Sequence, residues 1–154
     1  MKNMIYIRKY MIGDPLFEIL ESANMNHIPS MEMPSLNVNN FFVAVDNDHV
    51  IGIAGWNILL EKQLAKTTLM VVLPHYRNCG VGYKLQYVRM KYLYEQNIKI
   101  LLTYSDIDYV ISWYIKKFKY KKIGYMEKLC DFGSLSTKWT ILKCDLEKYF
   151  ETCI

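Results

Sequence analysis

The sequence predicts a mixed α/β fold, a sheet with helices on both faces. Three observations predict it. Strand-like apolar runs recur at 5–8, 41–45, 50–56, 67–73, 98–103, 122–127 and 139–146. Helical periodicity separates them after Pro15, after Gly80 and after Asp106. No repeat, low-complexity tract or linker interrupts the 154 residues, so 1–154 reads as one domain.

Each element has a local reason. Ile5-Tyr-Ile-Arg8 is a short strand. Asp14-Pro15 opens a helix, with Asp as N-cap and Pro at the first helical position. Its apolar stripe is Leu16, Ile19, Leu20 and Ala23. Met25 to Asn40 reads as loop or short helix, rich in Met, Pro, Ser and Asn. Phe41 to Val45 and Val50 to Trp56 flank Asp46-Asn-Asp-His49, an Asx-rich hairpin turn. Thr67 to Leu73 is nearly all apolar, which predicts a central strand buried on both faces. A helix follows the glycine turn, with Val81, Leu85, Val88 and Tyr92 on its apolar side. Ile98 to Thr103 is a buried strand. Asp106 or Asp108 caps the next helix, whose stripe is Ile107, Val110, Ile111, Tyr114 and Phe118. Lys122 to Glu127 and Trp139 to Leu146 close the sheet as its sixth and seventh strands.

Composition narrows the function classes. Hydrophobic residues make up 52% and charged residues 22%, ordinary for a globular protein. No window approaches the ~18 apolar residues of a membrane span, and no signal peptide is evident. Cys79, Cys130, Cys144 and Cys153 share no C-x-x-C spacing, and His27, His49 and His75 lie far apart. No metal centre or disulfide framework is expected, and a reduced cytoplasmic setting fits. The net charge of +4 is uneven: residues 78–154 hold thirteen Lys/Arg against eight Asp/Glu. Lys116 to Lys122 is the densest part and reads as a solvated face; nucleic acid is not an expected partner.

The chemistry concentrates at Pro74-His-Tyr-Arg-Asn-Cys-Gly-Val-Gly-Tyr83. An Arg-x-x-Gly-x-Gly turn between a strand and a helix is a place for a phosphate. Glycines let the backbone come close, and the first helical N–H groups are free donors at a positive helix end. Two phosphate motifs fail here. Lys84 is one residue too far from Gly82, with no Ser or Thr behind it, so this is not a P-loop. Leu85 fills the third-glycine position of a dinucleotide fingerprint, and three strands precede the turn.

Val72-Leu-Pro74-His-Tyr-Arg77-Asn-Cys-Gly80-Val-Gly82 resembles the acyl-CoA segment of the GNAT superfamily of N-acetyltransferases. The hairpin from Phe42 to Trp56 is similar to the strand pair before that segment. Leu102-Thr-Tyr-Ser-Asp106 through Tyr120 is similar to the strand and helix after it. The resemblance spans roughly residues 4–146. It implies a mostly antiparallel seven-stranded sheet, splayed between strands four and five. It implies acetyl-CoA as co-substrate, with pyrophosphate on the N–H groups from Asn78, Cys79, Gly80, Val81 and Gly82 to Tyr83. Arg77 would add a charge-assisted contact. Met70 and Val72 would flank the pantetheine arm, a backbone N–H near Val72 polarising the thioester carbonyl. Tyr114 would protonate the leaving thiolate, with Tyr104 and Tyr109 as weaker candidates. Two positions depart from the family pattern. Lys119-Tyr120 stands where members often carry Gly-Phe, which predicts a different helix end. The central-strand Glu that many members use as base falls near Lys66 or Thr67. Glu61, His75 and Asp106 are the remaining side-chain candidates, beside ordered water.

The expected reaction is acetyl transfer to a primary amine of a small molecule, by direct attack in a ternary complex. The alternatives are a protein or peptide N-acetyltransferase and a catalytically weak acyl-CoA sensor. Met25, His27, Met31 and Met33 could line an acceptor wall, and Glu32, Asp106 and Asp108 could attract a cationic amine. Trp139 with the apolar tail Tyr149, Phe150 and Ile154 would permit a homodimer.

Overall fold

The computed structural model describes residues 4–23, 36–59, 63–128 and 136–152. The strands are β1 (Ile5–Lys9), β2 (Phe41–Asp46), β3 (His49–Leu59), β4 (Leu64–Val72), β5 (Ile100–Ser105), β6 (Lys121–Glu127) and β7 (Lys138–Asp145). The helices are α1 (Leu16–Ser22), α2 (Val81–Glu95), α3 (Asp108–Phe118) and α4 (Leu146–Thr152). The strands form one seven-stranded sheet in the order β1-β2-β3-β4-β5-β7-β6. Its pairs β1–β2, β2–β3, β5–β7 and β6–β7 are antiparallel, and β4–β5 is parallel. The parallel register covers Leu64 to Lys66 against Ile100 to Leu102, while β4 runs on to Val72.

Two compact units build the chain: Met1–Asn57 with Thr68–Tyr92, and Ile58–Thr67 with Leu93–Ile154. In the first, the β2–β3 hairpin turns through Asn47 and Asp48, at φ 48° and 65°. Two consecutive left-handed residues make the twisted two-residue turn that the Asx-rich sequence predicts. Ala44 pairs with Gly52 and Val45 with Val50, so Ile51 is an extra residue on β3. An added Cβ on Gly52 would meet Leu85 Cδ1 at 3.1 Å and Val71 O at 3.2 Å, and this close approach seats α2 on β3. The rings of Phe42, Trp56 and Tyr92 meet in tilted and edge-on pairs at 5.0–5.4 Å between ring centres.

Several local expectations change in the first unit. Asp14 does not cap α1; its carboxylate takes Arg8 at 2.8 and 3.0 Å and Met11 N–H at 2.8 Å. The helix still buries Leu16, Ile19 and Leu20 as the stripe predicts. Each such burial contributes about 1.5–3 kcal/mol. β4 starts three residues early and is buried on alternate positions only, so one face is half-exposed. The buried face of α2 is rotated by one residue, to Leu85, Arg89, Met90 and Leu93; Val88 and Tyr92 are half-buried. Arg89 belongs inside because Gln86 Oε1 and the Gly55 carbonyl, the latter at 2.9 Å, accept from its guanidinium.

In the second unit α3 packs on β5 and β7 through Ile111, Tyr114 and Phe118. Neither Asp106 nor Asp108 caps it by a side-chain bond; Ile107 flanks the first turn. The helix ends as a glycine would end it. Lys119 takes the left-handed conformation (φ 58°, ψ 31°), with its N–H turned back to Tyr114 O. α4 is a helix that the apolar tail did not predict. Asp145 starts it by accepting Lys148 N–H at 3.1 Å. Cys144 is buried behind it, and burial pushes its thiol up to about 12.

Candidate active site

The glycine turn lies in the first unit. Leu73, just after β4, donates its N–H to the carbonyl of the extra residue Ile51 at 2.9 Å. Pro74 then opens one 3-10 turn, Pro74–Tyr76, and Arg77 is extended at φ −70° and ψ 150°. Asn78 (φ 62°) and Gly80 (φ 82°) are left-handed. The ladder of α2 begins where Lys84 N–H donates to Gly80 O at 3.1 Å. The N–H groups of Val81, Gly82 and Tyr83 precede it, at the positive end of a 15-residue helix.

Gly80 is required by its backbone, since a side chain at that φ is strained. The space in front of it is open: an added Cβ would meet no atom within 4 Å. Gly82 differs. It lies in the first turn of α2, and an added Cβ would only touch Met70 Sδ at 3.8 Å. Arg77, Asn78, Cys79 and Gly80 are exposed, Val81 is buried and Tyr83 is exposed. Arg77 Nε donates to the Val72 carbonyl at 3.2 Å, which folds the guanidinium back to the strand end. Cys79 Sγ lies 3.5 Å from Arg77 O. Tyr76 OH donates to Asp46 Oδ2 at 2.7 Å, and this bond raises the Tyr76 phenol above its usual value.

Tyr114 lies in the second unit, buried on α3. Its ring meets Trp113 and Tyr120 edge-on, each at 5.0 Å. Tyr120 belongs to a buried chain of hydroxyls that sequence reasoning missed. Thr67 Oγ1 donates to Thr103 Oγ1 at 3.0 Å, and Thr103 Oγ1 donates to Tyr120 OH at 3.0 Å. Thr67 and Thr103 lie on β4 and β5 and Tyr120 just before β6, so their sequence spacing carries no signal and only the folded chain reveals them. Tyr104 sits under Lys66 Nζ at 4.0 Å, and Tyr109 is exposed.

Asp106 is bonded to Lys128 Nζ at 2.7 Å, with both side chains only 6% exposed. Lys128 also lies 4.6 Å above the Trp139 ring. The Asp106 carboxylate is thus already engaged in a buried ion pair. His75 is exposed in the 3-10 turn. Glu61 and the proposed wall of Met25, His27, Met31, Glu32 and Met33 lie outside the described residues. Among the described residues no group of three or more His, Cys, Asp or Glu is placed to hold a metal. Among them, too, no helix is long and apolar enough to cross a membrane.

The acetyltransferase (GNAT) domain family matches residues 37–127, which include the hairpin, the glycine turn and α3. The chain belongs to the GNAT acetyltransferases. It is an acetyltransferase of a family that uses acetyl-CoA. Solved GNAT-fold structures agree over nearly the whole length. The ribosomal-protein-S18-alanine N-acetyltransferase of Escherichia coli is 13% identical, with a TM-score of 0.71 over 93% of this chain and 94% of that one. A GNAT-family acetyltransferase of Staphylococcus aureus Mu50 is 23% identical, with a TM-score of 0.68 over 93% and 99%. The N-acetylglutamate synthase of Neisseria gonorrhoeae, solved with coenzyme A and N-acetyl-glutamate, is 18% identical, with a TM-score of 0.71 over 95% of this chain and 36% of that one. Comparison with curated protein sequences found no match.

Proposed function

We propose that this GNAT acetyltransferase moves an acetyl group from acetyl-CoA to a primary amine of a small molecule, in the cytoplasm, by direct attack in a ternary complex. One observation carries the donor assignment. The left-handed Gly80 opens onto empty space immediately before the N-terminus of α2. Backbone N–H groups of Asn78 to Tyr83 would hold the pyrophosphate there. The Val72 carbonyl is engaged by Arg77, so a contact from Val72 to the pantetheine arm would use its N–H. That N–H would stabilise the charge developing on the carbonyl oxygen. Met70 flanks the arm.

Acetyl-CoA supplies an activated thioester. The amine nitrogen forms a bond to the carbonyl carbon, and the carbon–sulfur bond breaks. Tyr114 gives its phenolic proton to the departing thiolate, and the ammonium proton leaves to water. Water takes that role because Asp106 is held by Lys128 and because Thr67, near the expected position of a base, is hydrogen-bonded to another hydroxyl. Lys66 and Thr67 stand where many members carry a strand-four Glu, which counts against the peptide alternative.

Thiol release from acetyl-CoA tests this across polyamines, amino sugars, amino acids and a peptide array. Acceleration by at least one small amine, and not by peptides, is expected. Acceleration by peptides alone moves the assignment to a protein acetyltransferase. Acetyl-CoA binding with no accelerating amine makes the chain an acyl-CoA sensor.

A further inference from the structure

Arg77, Asn78, Cys79 and Gly80 all lie on the surface, and two of them are left-handed. Such a segment is not held by its own packing. Three of the bonds that tie the turn to the first unit lie on its strand side. Leu73 N–H donates to Ile51 O at 2.9 Å, and Arg77 Nε donates to Val72 O at 3.2 Å. The third, Tyr76 OH to Asp46 Oδ2 at 2.7 Å, is charge-assisted and reaches 30 residues back to the end of β2.

Asp46 is costly to the fold. It is 2% exposed, and its Oδ1 has no hydrogen-bond partner among the described residues. A carboxylate oxygen left unpaired in the interior is destabilising, and an apolar strand-former would avoid it. What Asp46 adds, and an apolar residue would not, is the bond to Tyr76.

We infer that Asp46 and Tyr76 form a clamp that presets the glycine turn, making Asp46 a positioning residue for acyl-CoA binding. The inference rests on the assignment of acetyl-CoA to this turn. Neither side chain needs to touch the ligand. With the clamp closed, the 3-10 turn is fixed and the backbone from Asn78 to Gly82 is held ready. With it open, binding must also order that backbone, which weakens affinity.

Calorimetry with acetyl-CoA and amide hydrogen exchange on the free protein test the clamp together. Tyr76→Phe keeps the ring and removes the donor. Asp46→Ala removes the acceptor, while Asp46→Asn keeps an accepting oxygen. Kd is expected to rise about tenfold in Tyr76→Phe and Asp46→Ala, and to stay within about threefold in Asp46→Asn. Exchange at Asn78 to Gly82 accelerates in the first two and not in the third. Asp14→Asn, which removes the charge from an ion pair elsewhere in the same unit, serves as the stability control and leaves Kd unchanged. A Tyr76→Phe protein within about twofold of wild-type affinity overturns the clamp, and so does equal weakening by Asp14→Asn at a matched melting temperature. If the wild type itself does not bind acetyl-CoA, the donor assignment fails. The exchange data then decide the clamp separately, and unchanged exchange in Tyr76→Phe rejects it.

Discussion

Arg8 meets Asp14 with two parallel hydrogen bonds, and Met11 N–H adds a third. The Arg8 bond is the main reason the Asp14 carboxyl titrates below its ordinary value. The pH consequence has a definite sign. An acid with a lowered folded pKa stabilises fully above its unfolded value, near 3.8, and loses that contribution as pH falls through the folded value. Asp14→Asn is therefore expected to cost about 1–2 kcal/mol at pH 7. The gap in melting temperature between wild type and variant should close below about pH 4, in scans from pH 7 to pH 2.5. A gap that stays constant down to pH 2.5 would mean that the ion pair does not contribute in this way. Sequence reasoning assigned Asp14 to the helix cap because Asp-Pro is a strong start signal. It could not see Arg8, since a pair bridging a strand and a helix start depends on how the chain doubles back.

At the scale of elements, the end of α3 gives a sharper comparison. Lys119 adopts a left-handed conformation that costs a non-glycine residue about 1–2 kcal/mol. Lys119→Gly relieves that strain and loses about 0.5–1 kcal/mol to the flexibility of the unfolded chain. A net gain of about 0.5 kcal/mol, a rise of roughly 1–2 °C in melting temperature, is expected by calorimetric scanning. A fall in melting temperature would show that contacts of the lysine, which lies 6.0 Å from the Tyr149 ring centre, outweigh the strain. Strands and hairpins were legible because alternation and the Asn-Asp turn are local signals. The buried face of α2 was not, because apolar periodicity favours Val88 over Arg89. Only the Gly55 carbonyl and Gln86 make an arginine acceptable inside. α4 has a local N-cap signal in Asp145 before Leu-Glu-Lys148, but its seven residues are too short for apolar periodicity to mark a helix. Of the site, the Gly80 turn was readable from spacing. Asp46 and the Thr67–Thr103–Tyr120 chain were not, since each joins residues distant in sequence.

At the scale of the molecule, the proposed roles divide between the two units. The donor turn lies in the first and Tyr114 in the second. The family identity and the seven-stranded sheet are common to both, while the acceptor remains a matter for the amine panel. The account depends most on acetyl-CoA binding at Gly80, and Gly80→Glu tests that directly. The new side chain enters open space, so the core is untouched, although the left-handed φ costs about 1–2 kcal/mol. The added bulk and negative charge occupy the place proposed for the pyrophosphate. Titration calorimetry of wild type and Gly80→Glu with acetyl-CoA, beside circular dichroism to confirm folding, is the decisive measurement. The account predicts a folded variant with no detectable binding, and a folded variant with wild-type affinity would contradict it.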